Sequence, residues 1–151
     1  MNKIFIKFLT ILIFVSGCGY SPIFSNKNSN FSLQEINSTG NNRLNRIINN
    51  ALNNYKGSNS EKNISLTIFT DLKKEISSKD TKGNPKTYKI EVNSKILAKD
   101  SMGNVNEKEF SKSTNYNNRS NKFELKKFEN ETTKNLAEKI SEEIIIYLQS
   151  I

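Results

Sequence analysis

Hydrophobic residues recur along this chain with two different spacings, which divide it into short segments. Alternation at every second residue indicates strands with one buried face, and recurrence at three and four residues indicates amphipathic helices. Alternating segments lie at residues 31–36, 64–76, 88–98 and, more weakly, 110–116. Helical spacing occupies residues 44–55 and 129–149, and the second helix can be extended back to Phe123 or Leu125.

Polar, turn-forming residues separate these segments. Residues 38–42 predict a turn that supplies a helix N-cap, 77–85 predict a polar loop, and 100–104 predict a hairpin turn. The resulting order is β-α-β-β-β-α. We therefore predict an α+β two-layer sandwich, with two helices on one face of a mostly antiparallel four-stranded sheet.

The N-terminal residues have the three parts of a secretory signal. Lys3 and Lys7 are followed by an apolar run at residues 8–15 and by small residues that lead to Cys18. The apolar run is shorter than the roughly 20 residues that span a bilayer. The run from Val15 to Cys18 resembles the bacterial lipobox, with Val in place of the usual Leu, and predicts cleavage before Cys18 and lipidation of its sulfur. The alternative is an ordinary cleaved signal. The predicted organisation is a signal peptide at 1–17, a lipidated tether at 18–30 and one sandwich domain at 31–151.

The charge of the chain is consistent with anionic partners. Its 151 residues carry a net charge of +8, and removal of the leader takes away two lysines and no acid. Such an excess favours lipid phosphates, lipopolysaccharide or nucleic acid. An AT-rich genome, which favours Lys and Asn codons, explains the same composition, so both explanations stand. Nucleic-acid binding is disfavoured because basic residues are interleaved with acidic residues along the chain, and because export separates the chain from nucleic acid.

A second motif follows the lipobox directly. Residues 18–24 read Cys-Gly-Tyr-Ser-Pro-Ile-Phe and resemble the start of the lipopolysaccharide-assembly lipoprotein family (LptE), especially its alphaproteobacterial members. The pair Tyr116-Asn117, a polar stretch and the long C-terminal helix also match that family's layout. The resemblance implies an outer-membrane lipoprotein that faces the periplasm, plugs a β-barrel translocon, helps it assemble, and aids insertion of lipopolysaccharide into the outer leaflet. The alternative is a generic envelope lipoprotein, such as a pilotin-like chaperone or a cell-wall-associated structural protein.

Candidate catalytic groups are few. The chain has no His, and its single Cys is the predicted lipidation site, so we expect neither an enzyme nor a cofactor or metal. The carboxylate pairs Glu129–Glu131 and Glu142–Glu143 are assigned to the solvated side of the last helix.

Lysines around the predicted loop at 77–85 form the candidate ligand surface. The candidate lipopolysaccharide contacts are Lys79, Lys82, Lys86, Lys89 and Arg119. Lys73 and Lys74 bracket the same loop, and Lys95 and Lys99 share the outward face of the neighbouring strand. Lysine can hold phosphate as a point charge. The alternative is a solubilising face that also protects a sheet edge.

Overall fold

The computed structural model describes residues 29–57 and 60–151. The predicted signal peptide, Cys18 and the predicted tether as far as residue 28 lie outside the described residues. The elements, in chain order, are β1 Phe31–Gly40, α1 Asn42–Leu52, a 3-10 turn Asn53–Tyr55, β2 Lys62–Lys79, β3 Pro85–Asp100, β4 Val105–Asn117 and α2 Lys122–Ser150. This order confirms the predicted β-α-β-β-β-α succession.

The four strands form one sheet in the order β1-β2-β3-β4. β1 runs parallel to β2, while β2, β3 and β4 are antiparallel neighbours. The parallel pair follows from α1, because a helix between two strands returns the chain to the end of the sheet where it started. The sheet is therefore mixed, and two of its three pairings are antiparallel, as the prediction of a mostly antiparallel sheet requires.

The core lies between the sheet and the two helices. In β3, Ile90, Val92, Ile96 and Ala98 are buried and alternate with partly exposed neighbours, all of them polar except Leu97, which confirms the predicted faces. The largest fully buried side chains come from β1, β2, β3 and both helices and form one cluster: Phe31, Leu33, Leu44, Ile48, Leu52, Ile64, Leu66, Ile68, Ile96, Ile140, Ile144 and Leu148. Neither of the two helices in the described part of the chain packs on the opposite face of the sheet, which is largely polar.

The first strand is longer than the sequence predicts. Residues 38–40 continue β1 and do not form a turn, because they keep pairing with β2 as far as Gly40 and Thr70. Gly40 has a φ of 98°, and a Cβ there would lie 2.0 Å from the carbonyl oxygen of Thr70. Only glycine allows this close approach. Asn41 then caps α1, as predicted, by accepting hydrogen bonds from the backbone N–H groups of Arg43 and Leu44 at 3.1 and 3.2 Å.

The predicted loop at residues 77–85 is also wrong at both ends. β2 continues to Lys79 and β3 begins at Pro85, so the connection is the short turn 80–84. α2 is 29 residues long and begins at Lys122, one residue before Phe123, the earlier of the two extended starts considered from the sequence. Among the described residues, no helix combines the length and apolar character needed to cross a bilayer.

Candidate functional site

The β2–β3 turn is held by the side chain of Asp80. Its Oδ1 accepts hydrogen bonds from the backbone N–H groups of Lys82 and Asn84, both at 2.8 Å, and its Oδ2 accepts one from the side chain of Asn84. These bonds favour the ionised form, so the pKa of Asp80 lies below its ordinary value, chiefly because of the backbone bond from Asn84. Asp80 therefore fixes the turn that presents Lys82 to solvent.

Four cationic residues lie at this end of the sheet, and we call Lys79, Lys82, Lys86 and Arg119 the basic tip. Lys79 ends β2, Lys82 lies in the turn, and Lys86 is the second residue of β3. Arg119 joins them because Asn118, its neighbour, donates its backbone N–H to the carbonyl of Lys86 and its side-chain amide to the carbonyl of Pro85, both at 2.8 Å. The basic tip thus extends over the end of β2, the start of β3 and the end of β4. Neighbouring strands lie about 4.8 Å apart.

The carboxylate of the β2–β3 turn, Asp80, is engaged with backbone N–H groups and the Asn84 amide, and the four cations of the basic tip outnumber it. Within the described residues, no ion pair shorter than 4 Å involves any of the four. Arg119 instead places its guanidinium 4.5 Å from the centre of the Phe128 ring in α2, an attractive contact that leaves its outer N–H groups free for an anion. The tip is thus a local excess of positive charge on a positioned backbone.

Lys89, the fifth candidate contact, lies in a different environment. Its Nζ is 2.7 Å from Glu91 and 3.7 Å from Glu75. The hydrogen bond to Glu91 is the main reason why the pKa of Lys89 is raised. Lys73 and Lys95 are paired in the same way with Asp71 and Glu107. The outer face of the sheet therefore mixes charges of both signs, and the structure does not add Lys89 to the basic tip.

Lys74 and Glu129 differ from their sequence assignments. Lys74 points to the helix side of the sheet, where it pairs with Glu129, and lies 4.5 Å above the ring of Tyr88. Glu129 is only 7% exposed and accepts a hydrogen bond from the Tyr116 hydroxyl at 2.9 Å. The assignment of Glu129 to a solvated helix face is therefore wrong. Its position four residues after Leu125 and four before Thr133 places it on the buried stripe of α2.

This buried carboxylate ties α2 to the strands beneath the basic tip. Burial acts to raise the pKa of Glu129, but hydrogen bonds from Lys74 and Tyr116 and the charge of Lys74 outweigh it and lower the pKa. The pKa of Tyr116 is raised by burial and by its bond to Glu129. The Tyr116 ring also stacks with Tyr88 at 5.6 Å and contacts Phe128 at 5.7 Å. These contacts hold the ring of Phe128 in position beneath the Arg119 guanidinium.

Sequence reasoning missed the Lys74–Glu129 pair and the tight turn at residues 80–84. Only the turn had a signal in the sequence. The turn residues 80–84 read Asp-Thr-Lys-Gly-Asn, and residues 100–104 read Asp-Ser-Met-Gly-Asn. Asp100 makes the same hydrogen bonds in its turn as Asp80 does, to the backbone N–H groups of Met102 and Asn104. Residues 100–104 were predicted as a hairpin turn, and the same pattern of Asp, Gly and Asn could have predicted one at residues 80–84. Among the residues described, no group of three or more metal-ligating side chains comes together.

The fold is shared with solved lipoproteins at low sequence identity. No family model and no curated protein matches the chain. Rare lipoprotein B from Shewanella oneidensis superposes with a TM-score of 0.60 at 16% identity, over 79% of this chain and 95% of that one. A minor lipoprotein from Acinetobacter baumannii gives 0.60 at 10% identity, over 82% and 92%. Lipoprotein B from Nitrosomonas europaea gives 0.60 at 14% identity, over 85% and 88%. These likenesses show a common fold.

Proposed function

We propose that this chain is an outer-membrane lipoprotein, anchored through Cys18, that plugs and helps assemble the β-barrel that inserts lipopolysaccharide into the outer leaflet. The residues from Cys18 to Phe24 support the family, and the β-α-β-β-β-α fold shared with solved lipoproteins supports an anchored envelope domain. Two or three acyl chains on Cys18 would hold the domain permanently, since each buried methylene contributes about 0.8 kcal/mol.

The observation that carries the proposal is the separation of the basic tip from the point where the chain enters the fold. Phe31, at the start of β1, pairs with Lys62, the first residue of β2, and Lys79 is the last. The 18 residues of β2, at about 3.3 Å each, extend roughly 60 Å when untwisted. Few strands in globular proteins exceed about 10 residues.

This length agrees with a bilayer. A membrane with its headgroups is about 40–45 Å thick. A sheet held upright with its entry end at the inner leaflet would therefore carry the basic tip to the level of the outer leaflet, where the phosphates of lipopolysaccharide lie. A barrel lumen is the environment in which a water-facing polar sheet could occupy that depth.

The outer face of the sheet has the composition that a hydrated lumen requires. Its paired charges and its many Ser, Thr and Asn residues leave few apolar groups in contact with water, of which Phe69 is 42% exposed. A shallow groove of about 350 Å³ beside Phe69 is lined by polar and charged residues of three strands, including Lys73, Lys95 and Glu109. Such a face can be covered by a polar wall with little desolvation of unpaired charge.

A non-catalytic role is part of the same proposal. The carboxylate most protected from water, Glu129, has its oxygen bonded to Lys74 and Tyr116, so it serves packing. The four side chains of the basic tip are lysines and an arginine, which at neutral pH hold anions without acting as general bases.

Charge reversal at the tip tests lipopolysaccharide binding. Lys79, Lys82 and Lys86 are changed to Glu, and binding of purified lipopolysaccharide to the purified protein is measured. With about 1 kcal/mol lost per basic residue near an anionic surface, the affinity should fall by roughly 100-fold. The matched control changes Lys62, Lys99 and Lys108, which lie toward the entry end, to Glu. It alters the net charge equally and should leave most of the binding intact. Equal losses in the two variants would contradict a binding site at the tip.

A further inference from the structure

A shallow groove of about 350 Å³ crosses the outer face of the sheet between two rows of side chains. The register of β2, β3 and β4 aligns the rows side by side: Phe69, Lys95 and Glu109 form one, and Asp71, Asn93 and Ser111 form the other. Thr70, Ser94 and Phe110 lie between the rows, and their side chains are buried on the core side. The floor of the groove is therefore backbone, and its walls are the two rows.

The dimensions of this groove suit a short, flat ligand. Residues two apart on a strand are separated by about 6.6 Å, which sets the spacing of the rows. The length across the three strands is two strand spacings, roughly 10 Å. The volume is at the lower end of the range for small-ligand sites, roughly 300–1,000 Å³. One or two six-membered rings fit these limits, whereas a folded protein segment does not.

Phe69 supplies an apolar surface at the β2 end of the groove. Its side chain is 42% exposed and does not belong to the core cluster. In the part of the chain that the structure describes, no other aromatic ring contacts it. The C–H face of a sugar ring is apolar and packs flat on an aromatic ring, while the hydroxyls at its rim stay free for hydrogen bonds. Phe69 can therefore act as the platform on which one sugar ring stacks.

Polar groups along the two walls can pair with the rim of such a ring. The side-chain nitrogen of Asn93 donates to Glu91 at 3.1 Å, which leaves its Oδ1 as an acceptor. Lys95 pairs with Glu107 at 2.6 Å, and over residues 29–57 and 60–151 no ion pair involves Glu109. Carboxylate and amide oxygens accept hydrogen bonds from hydroxyls, and those to carboxylates are the stronger ones. Both walls therefore offer acceptors next to the aromatic platform.

The charge of the groove favours a neutral ligand. Its lining holds two carboxylates, Asp71 and Glu109, and two lysines, Lys73 and Lys95, so the charges balance. An anion gains little from such a set, whereas a hydroxyl both donates and accepts and can pair with either sign. The groove is also separate from the basic tip, since Lys79 is eight residues beyond Asp71 on β2, roughly 26 Å away.

We propose that this groove binds the neutral sugar rings of an oligosaccharide. Two saccharides of a bacterial envelope share that chemistry, the saccharide of lipopolysaccharide and the glycan of the cell wall. The first source agrees with the role in lipopolysaccharide insertion, and the second agrees with the alternative of a cell-wall-associated lipoprotein. Sugar binding in the groove does not depend on phosphate binding at the basic tip.

Titration of the isotopically labelled, processed protein in detergent micelles tests the site by NMR. One probe is the dephosphorylated, lipid-free oligosaccharide of lipopolysaccharide, and the other is chitobiose, a neutral disaccharide that resembles the cell-wall glycan. At least one should shift the amide signals of residues 69–71, 93–95 and 109–111 saturably. A shallow groove should give a Kd on the order of 1 mM. Saturation by only one of the two sugars identifies the source, and inorganic phosphate should leave these signals unmoved.

Two matched substitutions separate the groove from other apolar surface. Phe69→Ala should weaken sugar binding about tenfold, because the stacking platform is lost. Phe123→Ala removes the same ring from a site that is 75% exposed at the start of α2 and should leave the affinity unchanged. Because Phe69 lies outside the core, its variant should keep a dispersed, folded amide spectrum.

The outcomes that would overturn the proposal are distinct from those that bear on the basic tip. The absence of saturable shifts with both sugars would refute a sugar site, as would shifts confined to the basic tip. Equal affinities of Phe69→Ala and the wild type would do the same. The charge-reversed tip variant should bind the sugar as the wild type does, so a failed lipopolysaccharide contact at the tip would leave these results unaffected.

Discussion

Removal of Lys74 should destabilise the fold more than removal of the charge on Glu129. Lys74→Met keeps the apolar stem of the lysine but leaves the Glu129 carboxylate buried, with the Tyr116 hydroxyl as its remaining hydrogen-bond donor and Lys126 as a weaker electrostatic neighbour. Breaking a fully buried pair costs about 3–5 kcal/mol. The Lys74 side chain is 43% exposed, so water screens part of its contribution, and we expect a loss of about 2 kcal/mol.

Glu129→Gln provides the matched comparison. It keeps an oxygen that can accept the Tyr116 hydrogen bond and removes the charge, and Lys74 can then turn into solvent. We expect a loss of about 1 kcal/mol, the typical net contribution of one hydrogen bond. The order of the two variants is the main result, because it separates an uncompensated buried charge from the simple loss of a contact.

The dependence on pH has a definite sign. The pKa of Glu129 is lowered in the folded state, so its contribution to stability is present above the unfolded value of about 4.3. It is lost as the pH falls through the folded pKa. The advantage of the wild type over Glu129→Gln should therefore be constant between pH 6 and 8 and should shrink below about pH 4. The cost of Lys74→Met should also decline in acid, because protonation removes the unpaired charge.

Urea unfolding followed by circular dichroism measures these differences, since the chain has no tryptophan and its helices give a strong signal. Each variant is compared with the wild type at pH 7 and at about pH 3.5, with the slope of the transition checked for constancy. A larger loss for Glu129→Gln than for Lys74→Met would refute the reasoning. So would a cost of Lys74→Met that is the same at both pH values.

Substitutions at three further positions test how the helices and the sheet are held together. Gly40→Ala should lower the free energy of unfolding in urea by about 3 kcal/mol or more. Its Cβ would lie 2.0 Å from the Thr70 carbonyl oxygen, in a backbone region that alanine avoids. A loss under about 1 kcal/mol would show that the backbone at Gly40 and Thr70 can move apart. Asn41→Ala should cost about 1 kcal/mol and Asn41→Ser much less, since serine can also accept from the first turn of α1; equal losses would argue against capping. Ile140→Ala, at a fully buried site, should lower the thermal midpoint more than Ile140→Val, with expected losses of about 2–5 and 1 kcal/mol.

The sequence predicts the layers of this fold better than the ends of its elements. Buried faces leave a periodic apolar signal, which is why β3 and the apolar residues of both helix stripes were assigned correctly, whereas the buried but charged Glu129 was not. The last residues of β2 are exposed and polar on both faces, so no alternation marks 77–79 as strand. What continues the strand is pairing with β3, a long-range interaction that no local pattern records.

The basic tip was predicted in part, and the reason lies in the side-chain environment. Lys79, Lys82, Lys86 and Arg119 lie at one end of the sheet because the turn at Asp80 and the two bonds of Asn118 hold three strand ends side by side. Proximity in sequence indicated the first three. Whether a lysine is free or paired depends on cross-strand neighbours, so Lys89 could not be separated from the others without the register that places it near Glu75.

The central claim, that this domain works inside the lipopolysaccharide-inserting barrel, is tested most directly by crosslinking from the mature protein in its own envelope. A photoreactive residue replaces Phe69, at the centre of the outer face of the sheet, and the trapped partner is identified by mass spectrometry. The account predicts an outer-membrane β-barrel of the lipopolysaccharide pathway, linked through residues that face its lumen. Recovery of a secretin or of cell-wall material in its place would contradict the claim and favour a generic envelope lipoprotein.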